Sequence, residues 1–262
     1  MYPETKPIVY CCPRESNTIE VYPIHDLHYG NECFDTHKWN KLRDHILSEP
    51  NRYVVWVGDL MENALPNSKS SPLSQLHSPL EQREFVAEQF KALKARTVGC
   101  VDGNHELNRA TKFAGLYPLY DAACIAGIDH LYRSTYAVLD ISVGMGADGH
   151  AERQYRYIGF LTHKAKDMKS FATTDFLEGI DFVLCGHDHE PKEHSRAKLV
   201  YNKTKRTITF KPVEMVNCGS FLSFGGYGAA SGYRPQSDKM YKLILYGNQQ
   251  RIDTVGFYVE NL

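Results

Sequence analysis

Phe182-Val183-Leu184-Cys185-Gly186-His187-Asp188-His189 is an apolar run that breaks at a glycine into two histidines two residues apart. An apolar run of this length reads as a buried strand. The C-terminal end of such a strand is where an open α/β sheet places its ligands. Neutral imidazole is a common metal ligand. A single short motif of this kind is weak, because a lone histidine more often makes an ordinary core or surface hydrogen bond. Its meaning depends on what the other strand ends carry.

Four more runs end in the same kinds of residue. Thr18–Ile24 alternates as a strand does and runs into His25-Asp26-Leu27-His28-Tyr29-Gly30. Arg52–Val57 delivers Gly58-Asp59-Leu60-Met61-Glu62-Asn63, and Thr97–Val101 ends at Asp102-Gly103-Asn104-His105-Glu106. A strand over 153–162 leads directly to His163-Lys164. Helices lie between the first three. Asp35 or Thr36 caps one that reaches Leu47, with Trp39, Leu42, Ile46 and Leu47 apolar, and Pro50 ends it. Ser78, Pro79 and Glu81 supply the cap, first-turn proline and carboxylate of a second over 80–95, with Phe85, Val86, Phe90 and Leu93 inward. A third helical stretch covers 107–126 and is interrupted near Pro118.

The second half is richer in strands. They are expected over 132–142, 153–162 and 181–185, with a short helix over 170–178. A hairpin follows at 198–201 and 207–213, then a strand end and turn from Met215 to Ser220. Lys239–Tyr246 and 251–259 close the chain. The glycine- and tyrosine-rich loop 221–237 is long enough to suggest a functional or mobile segment. With no linker in between, the pattern reads as one α/β domain over 1–262.

Composition narrows the function classes. A hydrophobic share of 42% suits a globular protein with a substantial core. The net charge of -1 argues against binding nucleic acid through a broad basic field, though a local patch stays open. The seven cysteines are odd in number and irregularly spaced, with no CxxC, which reads as reduced thiols in a cytoplasmic protein. Residues 1–10 lack a signal-peptide core, and no apolar run reaches the roughly 20 residues of a membrane span.

Parallel strands bring their C-terminal ends to one sheet edge, so these five strand ends should converge. Asp26 and His28, Asp59, Asn104 and His105, His163, and His187 with His189 are too many polar groups to meet there by coincidence. Together they resemble the calcineurin-like metallophosphoesterases. The family pattern is D-x-H, G-D-x-x-D/E, G-N-H-D/E, a lone H and G-H-x-H. Here it stands as Asp26-Leu27-His28, Gly58-Asp59-Leu60-Met61-Glu62, Gly103-Asn104-His105-Glu106, His163 and Gly186-His187-Asp188-His189. The resemblance covers about residues 18–220. It departs at His25, where the family often has glycine, a position that is not a ligand.

The resemblance implies a four-layer αββα sandwich, two mixed β-sheets flanked by helices, with a binuclear metal site at the strand ends. Asp26, His28, Asp59 and His189 would hold one ion; Asp59, Asn104, His163 and His187 would hold the other, with Asp59 bridging. The mixed nitrogen and oxygen donors suit manganese, with iron or zinc as alternatives. Two ions about 3.5–4 Å apart would polarise a phosphoryl group and activate a bridging hydroxide for in-line attack. His105 would stabilise the transition state or protonate the leaving oxygen as general acid, oriented by Glu62.

Weaker signals surround this set. Arg109 is either a phosphate contact or a solvated helix position. Asn217-Cys218-Gly219-Ser220 resembles an N-x-G-S element that follows the last metal motif in many relatives, and Ser220 lies beside the site or simply closes a turn. Tyr227, Tyr233 and Arg234 are candidates to stack on or clamp a nucleotide. The expected function is a phosphoester hydrolase, foremost a phosphodiesterase, with no membrane partner. Its substrate ranges over monoesters, nucleotides and nucleic acid, and a nuclease on the same site is one alternative. The family's protein-phosphatase branch carries an arginine where this chain has Asn63-Ala64, and its repair nucleases add a DNA-capping domain and coiled-coil arms. An alternative of another class is a scaffold that has lost catalysis; relatives of that kind have eroded ligands, whereas here His105 and every ligand position stand.

Overall fold

The computed structural model describes residues 6–13, 16–66, 68, 70–144, 154–164, 178–226, 229, 235 and 237–262. Among the described residues, twelve strands form two six-stranded sheets. In chain order they are β1 Ile8–Cys11, β2 Thr18–Ile24, β3 Arg52–Val57, β4 Thr97–Val101, β5 Tyr132–Arg133 and β6 Tyr136–Val143. Then come β7 Tyr155–Thr162, β8 Phe182–Cys185, β9 Lys192–Asn202, β10 Thr207–Asn217, β11 Lys239–Tyr246 and β12 Ile252–Tyr258. One sheet runs β12-β11-β2-β3-β4-β5, the other β1-β6-β7-β8-β10-β9. Each is mixed. In the first, β2, β3, β4 and β5 are parallel and β11 and β12 antiparallel. In the second, β7, β8 and β10 are parallel to one another.

The sheets pack face to face through β4 and β6. Gly99 of β4 lies so close to the other sheet that a Cβ there would stand 2.8 Å from Leu139. Trp56 of β3 joins the opposite face of its sheet to the helices α1 Thr36–Ser48 and α2 Pro79–Ala92, with ring centroids 5.9 Å from Trp39 and 5.0 Å from Phe90. The fold is therefore α/β with two mixed sheets flanked by helices, as the resemblance implies. The expected helix over 170–178 lies outside the described residues except for Glu178.

Local sequence explains the helix starts. Asp35 accepts from Lys38 N–H to cap α1, and Ser78 and Glu81 form a reciprocal capping box on α2, with Pro79 in its first turn. Three expectations are corrected. The 132–142 strand is two, because the chain leaves one sheet after Arg133 and enters the other at Tyr136. The 198–201 and 207–213 hairpin is longer, pairing over Lys192–Asn202 and Thr207–Asn217, so the strand end near Met215 is the end of β10. The 107–126 helix starts earlier, as a π-helix over His105–Thr111. It continues through α3 Lys112–Ala114, stops at Gly115 with φ of 66° and restarts as α4 Pro118–Ala126. Among the described residues, no helix is long and apolar enough to cross a membrane.

Candidate metal centre

The loops after β2, β3, β7 and β8 meet at one edge of the sandwich. The loop after β2 hydrogen-bonds to the loop after β3, Asp26 N–H donating to Gly58 O at 3.1 Å and His28 N–H to Asp59 O at 3.0 Å. Gly186 N–H donates to His163 O at 3.0 Å in the other sheet. His187 N–H donates to Asp26 Oδ2 at 2.8 Å and so ties the sheets together. Backbone strain gathers here. Asp26, His28, Asp59, His187 and His189 have φ between 50° and 79°. A side chain in that left-handed region costs about 1–3 kcal/mol, and such strain concentrates at functional sites.

Glu106 holds the most central of these turns. Its buried carboxylate accepts from the N–H groups of Asp59, Leu60, Met61 and Gly103, all between 2.9 and 3.1 Å. Gly103 must lack a side chain, since a Cβ would lie 2.1 Å from Asp59 Oδ1. Sequence reasoning missed the role of Glu106, although its place at the end of the third motif was a signal.

Two clusters of metal-type donors face one another. Asp26, His28 and His189 form the first. Asp26 Oδ1, His28 Nε2 and His189 Nε2 are separated by 3.5, 3.4 and 3.1 Å. Atoms bound to one cation at about 2.1 Å stand roughly 3.0–3.4 Å apart, so this triangle fits one. Asp59, His163 and His187 form the second. His163 donates from Nδ1 to Val57 O at 2.6 Å, which leaves Nε2 pointing at Asp59 Oδ2, 3.0 Å away. Asp26 Oδ1, Asn104 Oδ1 and His163 Nε2 are buried with no hydrogen-bond partner. Buried polar atoms without partners are costly; a cation at the first cluster would take Asp26 Oδ1 and a cation at the second would take His163 Nε2. The residues present therefore suit divalent metal.

His105 lies between the clusters, and His28, Asp59 and His105 themselves form a third group of possible ligands. The ring donates from Nδ1 to the main-chain carbonyl of Glu62 at 2.8 Å, while the Glu62 carboxylate is 3.8 Å away. The structure thus gives His105 a different anchor from the expected one. The Glu62 carboxylate instead approaches His28 Nδ1 at 3.3 Å and accepts from Ser70 Oγ at 2.6 Å and Arg109 Nη1 at 2.8 Å. Arg109 braces Glu62: its Nη1 donates to the Glu62 main-chain carbonyl, to Glu62 Oε1 and to Ser70 Oγ.

The charges are tightly balanced. Burial opposes the charge on His28, but the hydrogen bonds it donates to Asp26 and Glu62 and the charges of Glu62 and Asp59 hold it up to about 10. His163 is held up to about 9 against the same burial penalty, by the charge and hydrogen bond of Asp59 and the charge of Asp26. Burial favours the neutral forms of Asp26 and Asp59, yet the surrounding histidines keep both below the usual carboxylate range. Burial pushes His105 down to about 4. A metal ion would displace the protons on His28 and His163, so loading would release protons.

The remaining expected contacts are peripheral or undescribed. Ser220 Oγ closes a turn by accepting from Leu222 N–H at 3.0 Å. Asn217 donates from Nδ2 to Gly186 O at 3.1 Å and accepts from Gly219 N–H, so this element braces the His187 loop. Tyr227, Tyr233 and Arg234 lie outside the described residues.

Fold and site together define a two-sheet α/β sandwich with metal-type His/Asp clusters at its strand ends. No protein-family model matches the chain, and no curated protein does. Solved structures of similar fold include Vps29 from Entamoeba histolytica complexed with zinc, at 14% identity over 91% of this chain and 99% of that one, TM-score 0.39. A metallophosphoesterase from Sphaerobacter thermophilus is 12% identical over 92% and 88%, TM-score 0.41. Nuclease MPE from Pseudomonas putida is 16% identical over 90% and 87%, TM-score 0.39. At these identities the likeness is one of fold, and at these TM-scores it carries no argument about activity.

Proposed function

We propose that the chain is a metal-dependent phosphoester hydrolase, and within that class a phosphodiesterase. The observation that carries this reading is the pair of His/Asp clusters, each holding a partnerless buried polar atom, with His105 alongside. Asp26, His28 and His189 would hold one divalent ion, and Asp59, Asn104, His163 and His187 a second, with manganese first and iron or zinc as alternatives. Bound there, such ions polarise a phosphoryl group and lower the pKa of water at neutral pH.

The chain's own groups do the rest. Asp59 stands between the clusters, with Oδ1 accepting from His105 N–H at 2.7 Å and Oδ2 facing His163. The Glu62 carbonyl fixes Nδ1–H of His105 and frees Nε2 to hold a proton for the leaving oxygen. A phosphoryl anion beside the ring opposes the burial that keeps it neutral, so the proton arrives with the substrate. All seven cysteines are free thiols and four are buried, which supports a reducing, cytoplasmic setting.

The test is a hydrolysis panel with manganese, zinc and magnesium. It compares an aryl phosphomonoester, an aryl phosphodiester, cyclic nucleotides, and single- and double-stranded DNA. Turnover of the aryl diester with manganese is expected. Preference for DNA would move the reading to the nuclease alternative, and no turnover of any substrate would leave only the scaffold.

A further inference from the structure

We propose that His25 is a positioning residue that reserves one oxygen of Asp26 for a metal ion. The proposal rests on the metal-site reading above. His25 is fully buried, and both ring nitrogens are engaged. Cys218 N–H donates to Nε2 at 2.9 Å, so Nε2 presents a lone pair and the ring proton sits on Nδ1. Nδ1–H then donates to Asp26 Oδ2 at 2.6 Å. The same oxygen accepts from His187 N–H. Oδ1 of the same carboxylate is buried, has no hydrogen-bond partner and faces His28 Nε2 and His189 Nε2.

One oxygen is therefore saturated and the other spare. A carboxylate torsion is broad and roughly two-fold, so without a fixed donor the two oxygens could exchange places. The imidazole also spans the sandwich. His25 follows β2 in one sheet, and Cys218 follows β10 in the other. The space for its ring comes from Gly186, where a Cβ would lie 3.0 Å from His25 Cγ and Nδ1. Outer-sphere partners of metal ligands tune affinity in this way. The influence of His25 should fall mainly on the Asp26 cluster, because its ring hydrogen-bonds to Asp26 and Cys218 and not to the side chains of Asp59, His163 or His187.

The test uses the full chain and manganese, with binding followed by calorimetry and metal content by elemental analysis. His25→Asn keeps an amide donor where Nδ1 stands. His25→Gln places its amide near Nε2, serving Cys218 and abandoning Asp26. The wild type is expected to bind two ions. His25→Gln should weaken one of them about 10–100-fold and leave the other unchanged, while His25→Asn stays within a few-fold of wild type. In an Asp26→Ala background, His25→Gln should have no further effect on metal binding. Thermal melts in chelator check that both variants fold. Equal binding by wild type and His25→Gln overturns the proposal. So does equal weakening by Asn and Gln, which would make the ring's shape the cause. Failure of the wild type to bind any ion sinks the proposed function itself, whereas two tight ions in every variant sink only the role of His25.

Discussion

The loop after β3 turns three successive amides inward to one carboxylate, whereas the loop after β2 turns its amides outward to its neighbour. Glu106 gathers the N–H groups of Asp59, Leu60 and Met61. The carbonyls of that same loop receive Asp26, His28 and Tyr29 N–H. The Asp59 loop is thus built on an acid of its own sheet edge, and the Asp26 loop is built on the Asp59 loop. The difference gives the site an order: disturbance of the first loop should reach both clusters, and disturbance of the second should reach one.

The largest effect tests that order directly. Asp59→Ala should remove turnover below detection and lose both ions. Asp26→Ala should lose one ion and retain the other, because Asp59, His163 and His187 keep their own contacts. Metal content per chain distinguishes the two. If both variants lose both ions, the clusters are a single cooperative unit and the ordering is wrong.

His105 belongs to neither loop, which makes it the control on function. His105→Ala should lower turnover by about 10²–10⁴-fold while both ions stay bound. Unchanged turnover in this variant would mean that the ring holds no proton for the reaction.

The comparison also marks what the sequence could disclose. Asp26, Asp59, His163 and His187 were visible because each follows an apolar run, and the strand bounds Thr18–Ile24, Arg52–Val57 and Thr97–Val101 are the observed ones. A run of buried apolar residues in one chain segment is a local signal. The anchor of His105 was not visible, since a main-chain carbonyl leaves no trace in residue identity. The Glu106 cradle was only half visible: its place in the third motif marked the acid, but the four amides it gathers come from two loops and carry no side-chain pattern. β1 escaped for another reason: Ile8-Val9-Tyr10-Cys11 is apolar throughout but only four residues long, and no histidine or aspartate follows it to draw attention to its end. The split between β5 and β6 depends on which sheet each joins, which is decided by packing at a distance.

Glu106→Gln should come next in size. The amide keeps one acceptor oxygen and turns an NH₂ toward N–H groups that need a partner. Leaving such donors unsatisfied in a buried site should cost about 3 kcal/mol of stability, read from urea unfolding in chelator. Manganese affinity should weaken at both clusters, in contrast with His25→Gln. Weakening confined to one cluster would deny the Asp59 loop its supporting place.

Glu62→Gln should give the smallest change, and it separates two roles that one residue could play. The carboxylate stands by His28 Nδ1 and is pinned by Arg109 and Ser70, whereas the main-chain carbonyl holds His105. An amide leaves that carbonyl in place and removes a charge beside His28. Manganese affinity at the Asp26 cluster should therefore fall about tenfold. Turnover at saturating manganese should return to near the wild-type rate, because His105 keeps its anchor. A deficit of 10²-fold or more that extra manganese does not repair would point the other way. It would mean that the carboxylate orients His105 during turnover, as the resemblance to metallophosphoesterases implies, and that the 3.8 Å separation closes when substrate binds.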